Sequence, residues 1–295
     1  MPAMDSSKGR LAGRIPVPLM GVAVAVIWGV TFLSIKVALR EFGPMSLALF
    51  RFVVASLLLA PIVALSGTPF GVRRSDWGLL AASGLIGVTF YFLCENNGIL
   101  LLTASESSII VGTIPVLTLV IEMVALQSRP GRKVVSGIVL SFLGVALIVL
   151  RSESARSAPL GYVYMAGAAL SWAAYSFLTR PLSARYPMLT VTFWQMVIGA
   201  VGCVPFALAE GQKWIGLSAV SLWNAVYLGV FGSAIGYWLY VMVLEKLGPG
   251  RSSVFINLIP VVSVFASFVL LGERLAPLQM AGAVAAIAGV YLATS

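Results

Sequence analysis

The chain has 295 residues, 60% of them hydrophobic and only 10% charged, with a mean hydropathy of +1.01. Because a soluble domain is apolar over roughly 45 to 50% of its residues, a water-soluble globule is excluded and a bilayer protein is indicated. Nineteen Lys and Arg against ten Asp and Glu give a net charge of +9, but the cations sit between apolar runs, where they orient helices rather than form a nucleic-acid surface.

At about 20 apolar residues per crossing, the sequence predicts an all-α integral membrane protein of ten spans, at about 17–39, 44–66, 77–97, 104–126, 132–150, 159–179, 187–209, 218–243, 251–271 and 276–293. Lys8, Arg10 and Arg14 precede the first run, which is too long for a signal-peptide core and reads as a retained span. Residues 1–16 form a short N-terminal segment. The connections carry the turn formers Gly43-Pro44, Pro130-Gly131 and Gly248-Pro249-Gly250.

Cations set the orientation. With the N-terminus inside, Arg73, Arg74, Arg129, Arg132, Lys133, Arg180, Arg185, Lys246 and Arg251 join the inner side. Lys36, Arg40, Arg151, Arg156, Lys213 and Arg274 fall on the outer side or at outer helix ends. The bias predicts cytoplasmic termini, and the expected location is the inner (cytoplasmic) membrane. Cys94 and Cys203 lie within apolar runs and read as small hydrophobes. No disulfide, metal site or cofactor is indicated.

The sequence also repeats. Shifted by 145 residues, Ser252–Leu292 lies over Ser107–Leu147 without a gap. That register pairs Ser253 with Ser108, Pro260 with Pro115, Arg274 with Arg129, Gly282 with Gly137 and Gly289 with Gly144. Trp28 pairs with Trp172 and Lys36 with Arg180 at an offset of 144. Two halves, 17–150 and 159–294, each of five spans, must therefore enter the membrane from opposite sides. Such inverted repeats build two gates around a mid-membrane site in many secondary transporters.

Several of these residues resemble the drug/metabolite transporter superfamily, specifically EamA-type exporters with a five-plus-five inverted repeat. The carriers are Ile27-Trp28-Gly29-Val30-Thr31-Phe32 with Lys36, Arg51, Pro115, Pro260, and Gly272-Glu273-Arg274 followed by Leu278, Gly282 and Gly289. The first half departs from the pattern, with Gln127-Ser128-Arg129 at the equivalent turn. The resemblance implies export of small metabolites, amino acids prominent among them, and the deep aromatic residues look like the aromatic amino acid branch.

Polar groups at membrane depth are costly and face protein or a watery cavity. Arg51 and Glu95 lie at comparable depths near the outer ends of their spans, so an ion pair is expected, as a fixed interhelical lock or as a gate or carboxylate site. Trp28, Phe90, Tyr91, Trp172, Tyr175 and Tyr237 lie deep enough to line a cavity, where rings attract an ammonium by roughly 0.5 to 2 kcal/mol. Ser108 and Asn257 are candidate substrate contacts, Asn257 because its amide both donates and accepts. Pro115 and Pro260 free backbone carbonyls in mid-span and are candidate gating or structural elements.

The expected activity is secondary export of amino acids or similar small metabolites by alternating access, with the lipid bilayer as environment. The oligomeric state is left open, a monomer being compatible. A broad drug exporter is the alternative, disfavoured because the acids lie towards span ends. An intramembrane lipid-modifying enzyme is a more distant one, since the only aspartates are Asp5 and Asp76 and there is no histidine.

Overall fold

The computed structural model describes residues 16–102, 107, 110–125, 127–149, 158–262, 265 and 277–295. These are all-helical, with no strand among the described residues. In chain order the helices are α1 (Val17–Ala38), α2 (Pro44–Leu65), α3 (Trp77–Gly84), α4 (Tyr91–Leu101), α5 (Ile114–Ala125), α6 (Arg132–Val149), α7 (Pro159–Ser183), α8 (Met188–Ala209), α9 (Ala219–Tyr227), α10 (Gly236–Ser253) and α11 (Pro277–Thr294). Prolines open α2, α7 and α11, where the missing N–H has no intrahelical partner to lose.

Six helical runs are long and apolar enough to cross a bilayer, and Ile110–Val124 is a shorter apolar helix. One of the six, Ala219–Val262, covers 44 residues, about twice what a crossing needs. Gly248 divides it. Its φ of 76° belongs to the left-handed region that glycine enters without a Cβ penalty, and Pro249 starts the returning segment.

The halves interlock through pairs of helices, one from each half. α6 packs along α11, α2 along α8, α4 along α7, and α1 against α9 and α10. The α6–α11 pair shows its direction directly. A Cβ on Gly137 would lie 2.6 Å from the carbonyl oxygen of Gly289, and one on Gly144 would lie 2.6 Å from that of Gly282. Residue numbers rise along one helix as they fall along the other, so repeat mates cross antiparallel with glycine against glycine.

Two π-helical segments lie at equivalent places. Leu85–Phe90 joins α3 to α4, and Leu228–Ile235 joins α9 to α10. Gly87 and Gly232 fall inside them 145 residues apart, and such wide turns concentrate at functional sites.

The ends of the bundle are held by polar contacts between halves. At the α1–α2 end, the Glu210 carboxylate accepts from Met45 N (2.8 Å), Ser46 N (2.8 Å) and Ser46 Oγ (2.6 Å), capping the N-terminus of α2 where an anion is favoured. Gln212 Oε1 accepts from Gly43 N, and Glu41 accepts from Ser218 N at 2.7 Å. The Ser218 backbone N–H foremost, with the Ser218 and Ser221 hydroxyls, holds the Glu41 carboxyl below its ordinary value. At the α7–α8 end, Tyr186 and Arg185 donate to Asp76, Thr190 to the Pro69 carbonyl, and Trp194 to the Phe70 carbonyl.

Candidate functional site

A cavity opens inside the bundle where the two halves cross. Its walls include Trp28, Thr31, Phe32 and Ile35 of α1, Arg51 of α2, Tyr91, Phe92 and Glu95 of α4, Trp172 of α7, Tyr237 of α10, and Val111, Ile114, Gly232, Ile256 and Ile259. The pocket is partly open, and the space between its walls, open solvent included, is about 430 Å³. Both halves contribute, with Trp28 and its repeat mate Trp172 meeting edge to face at 5.1 Å between ring centroids.

The rings form one cluster. Trp172 lies 5.0 Å from Tyr91, 5.5 Å from Tyr237, 5.3 Å from Tyr175 and 5.0 Å from Tyr240. Edge-to-face and tilted pairs are worth about 0.5 to 1.5 kcal/mol each beyond area burial, so the cluster is a stiff floor. The wide turns help fix it. Trp28 Nε1 donates to the Gly232 carbonyl at 3.0 Å, and Tyr237 OH donates to the Gly87 carbonyl at 3.2 Å. Each half thus offers a π-segment glycine carbonyl to an aromatic donor of the cavity.

Between this floor and the α7–α8 end lies a closed polar network. Tyr175 OH donates to Gln195 Oε1 at 3.1 Å, and Gln195 Nε2 donates to Ser83 Oγ and Thr179 Oγ1 at 3.0 and 2.9 Å. Trp172 Nε1 and Ser176 meet Tyr240 OH. The cavity itself lies on the α1–α2 side of the floor, since Phe32 and Ile35 stand in the last two turns of α1 and Arg51 in the second turn of α2.

Arg51 is 2% exposed. Its Nε donates to Ser233 Oγ at 2.9 Å, its guanidinium carbon stands 4.4 Å from the centre of the Phe92 ring, and Nη1 has no hydrogen-bond partner. Glu95 Oε1 accepts from Tyr91 OH at 2.7 Å. The ion pair expected between Arg51 and Glu95 is not made. Among the described residues the one ion pair within 4.0 Å joins Arg185 to Asp76.

Of the residues read from the sequence, Trp28, Arg51, Tyr91, Glu95, Trp172 and Tyr237 come together on the cavity wall. Tyr175 stands behind Trp172, fully buried, in the network beneath. Phe90 does not join them. It is 48% exposed on the outer face of the bundle, because the wide turn ending at Phe90 shifts the helical phase and brings Tyr91 inward instead. Asn257 is buried but turns away from the cavity, donating to Ser141 Oγ of α6 at 2.7 Å. The reason is local: Val254–Leu258 is a 3₁₀ segment, in which residues three apart eclipse, so Ile256 and Ile259 take the cavity face. Pro260 follows that segment, and Pro115 lies in the first turn of α5; both are buried. Ser108 lies outside the described residues, as does the Gly272-Glu273-Arg274 turn. Phe32, Phe92 and Gly232 were missed; the Gly87 and Gly232 match at the repeat offset was the available signal.

Comparison with known proteins agrees with this architecture. A model of the EamA-like transporter family matches residues 16–150 and again 159–295. The chain belongs to the EamA-like transporter family. As a family member of the drug/metabolite transporter type it is a transporter and not an enzyme. It is 31% identical to a probable terminal-alkyne amino-acid exporter of Streptantibioticus cattleyicolor, over 92% of this chain and 91% of that one. It is 30% identical to an uncharacterized transporter of Archaeoglobus fulgidus, over 90% and 94%. It is 27% identical to a probable amino-acid metabolite efflux pump of Salmonella typhimurium, over 92% and 93%. A solved structure, described only as the crystal structure of a protein, shares the fold with a TM-score of 0.80 at 17% identity, covering 94% of this chain and 96% of that one.

Proposed function

We propose that this EamA-family transporter exports amino acids, aromatic or other neutral ones, and closely similar small metabolites across the inner (cytoplasmic) membrane by alternating access. The observation that carries the reading is the central cavity, walled by both halves and floored by Trp28, Trp172 and Tyr237. A neutral amino acid offers an apolar side chain to such rings and an ammonium to their faces. The names of the relatives from Streptantibioticus and Salmonella support the same class.

On this reading ten spans form a first half, 17–150, and an inverted second half, 159–294, with both termini in the cytoplasm. The α1–α2 end then faces outward. The aromatic floor and the Gln195 network close the cytoplasmic path, and rocking of one half against the other would exchange that closure for one built by Glu210, Gln212 and Glu41 at the opposite end. The test is efflux from proteoliposomes loaded with individual labelled amino acids, with and without a pH gradient. Saturable efflux of neutral amino acids is expected. Absence of flux for every amino acid tried overturns the proposal, and comparable flux of unrelated lipophilic cations would favour a broad drug exporter instead.

A further inference from the structure

Arg51 and Glu95 line one cavity, carry opposite charge, and are not paired with each other. That arrangement is expensive. A buried cation whose donors are incompletely matched pays much of its desolvation without repayment, and Arg51 has Nη1 with no partner at all. Ser233 and the Phe92 ring hold the guanidinium in place without neutralising it. Gly232 contributes by having no side chain, since a Cβ there would stand 2.9 Å from Nη2. The guanidinium is therefore fixed by Ser233 and Phe92 while Nη1, itself buried, stays unmatched, a charged donor that a carboxylate oxygen would satisfy on reaching it. The acid is fixed in the same manner, with Oε1 engaged by Tyr91 one turn earlier on α4.

We propose, resting on the amino acid export reading above, that Arg51 and Glu95 are the two poles of a zwitterion site. Arg51 takes the α-carboxylate of the substrate through Nη1. Glu95 takes the α-ammonium, assisted by the faces of Trp28 and Trp172. The substrate is thus the bridge that the two side chains do not make directly, and the site selects molecules with both ends free. Phe32, Ile35, Val111 and Ile114 supply the remaining wall, which suits an aliphatic or aromatic side chain and disfavours a charged one.

The test uses the full-length protein in proteoliposomes and the neutral amino acid with the highest efflux in the panel above. Its amide, which lacks the carboxylate, and its N-acetyl derivative, which lacks the ammonium, are measured as competitors. Each modification is expected to weaken competition about tenfold or more, the effect of losing a charge-assisted contact in a buried site. In Arg51→Gln the acid and the amide should compete equally while N-acetylation still matters. In Glu95→Gln the reverse should hold. An amide and an N-acetyl derivative that compete as well as the parent overturn the zwitterion site while leaving amino acid export standing. Discrimination against the amide that survives in Arg51→Gln overturns the role of Arg51. The ligand series on the unmutated protein decides the matter even if a variant fails to fold, and a panel in which no amino acid moves removes the export reading and this inference together.

Discussion

Replacing Gly144 by Ala should loosen the bundle at a close backbone-to-backbone helix contact. The added Cβ would lie 2.4 Å from the backbone nitrogen of Ala286 and 2.6 Å from the carbonyl oxygen of Gly282, where ordinary contact is 3.4–4 Å. Both neighbours are backbone, so no side chain can swing aside, and α6 and α11 must part by about 1 Å, the overpacking regime of roughly 1 to 3 kcal/mol. For a chain of this size that corresponds to a fall of several degrees in thermal midpoint, about 2 to 4 °C per kcal/mol. The assay is thermal unfolding in detergent with Gly78→Ala as control, since a Cβ at Gly78 meets nothing within 4 Å. The double variant with Gly282→Ala should be less destabilised than the sum of the single changes, because helices already parted by one methyl have room for the second. A Gly144→Ala protein as stable as the control would refute the close antiparallel contact.

Trp172→Ala removes a ring that touches Trp28, Tyr91, Tyr175, Tyr237 and Tyr240, and efflux at low substrate should fall about tenfold or more. Phe90→Ala, on the outer face, should transport like the unmutated protein in the same assay. Glu210→Ala strips the cap from α2 and should cost about 0.5 to 2 kcal/mol in thermal stability, whereas an unchanged midpoint would mean the cap is energetically idle. Glu41 titrates below its ordinary 4.5 because Ser218 donates to its charged form. Its contribution is therefore present above that ordinary value and lost as pH falls through the depressed one. Acidification from about pH 6 to about pH 3 should lower the midpoint more in the unmutated protein than in Glu41→Gln.

The repeat was legible because the residues that recur are those the packing depends on. Gly137, Gly144, Gly282 and Gly289 hold a constant offset since a methyl at any of them would strike the partner helix. The shared depth of Arg51 and Glu95 was legible from helical rise alone, and both reach the cavity. That they do not pair was not, because a closed pair and an open one have the same spacing along the chain. Phe90 and Asn257 were misplaced for a common reason. Depth in the span and amide chemistry say nothing of which way a side chain faces, and here that is set by the winding: Phe90 ends a π segment and Asn257 sits in a 3₁₀ segment. Such changes of winding live in backbone hydrogen bonding, to which no side-chain pattern corresponds, apart from the glycines that accompany the wide turns.

The interlocked pairing of helices from the two halves bears on how the chain assembles. Each helix of the first half finds its main neighbour in the second, α1 with α9 and α10, α2 with α8, α4 with α7, α6 with α11. The glycine face of α6 therefore finds its partner only once Pro277–Thr294 has been made. A chain stopped before Pro277 would leave Gly137 and Gly144 without these contacts, so a first half on its own would carry an unpaired glycine face.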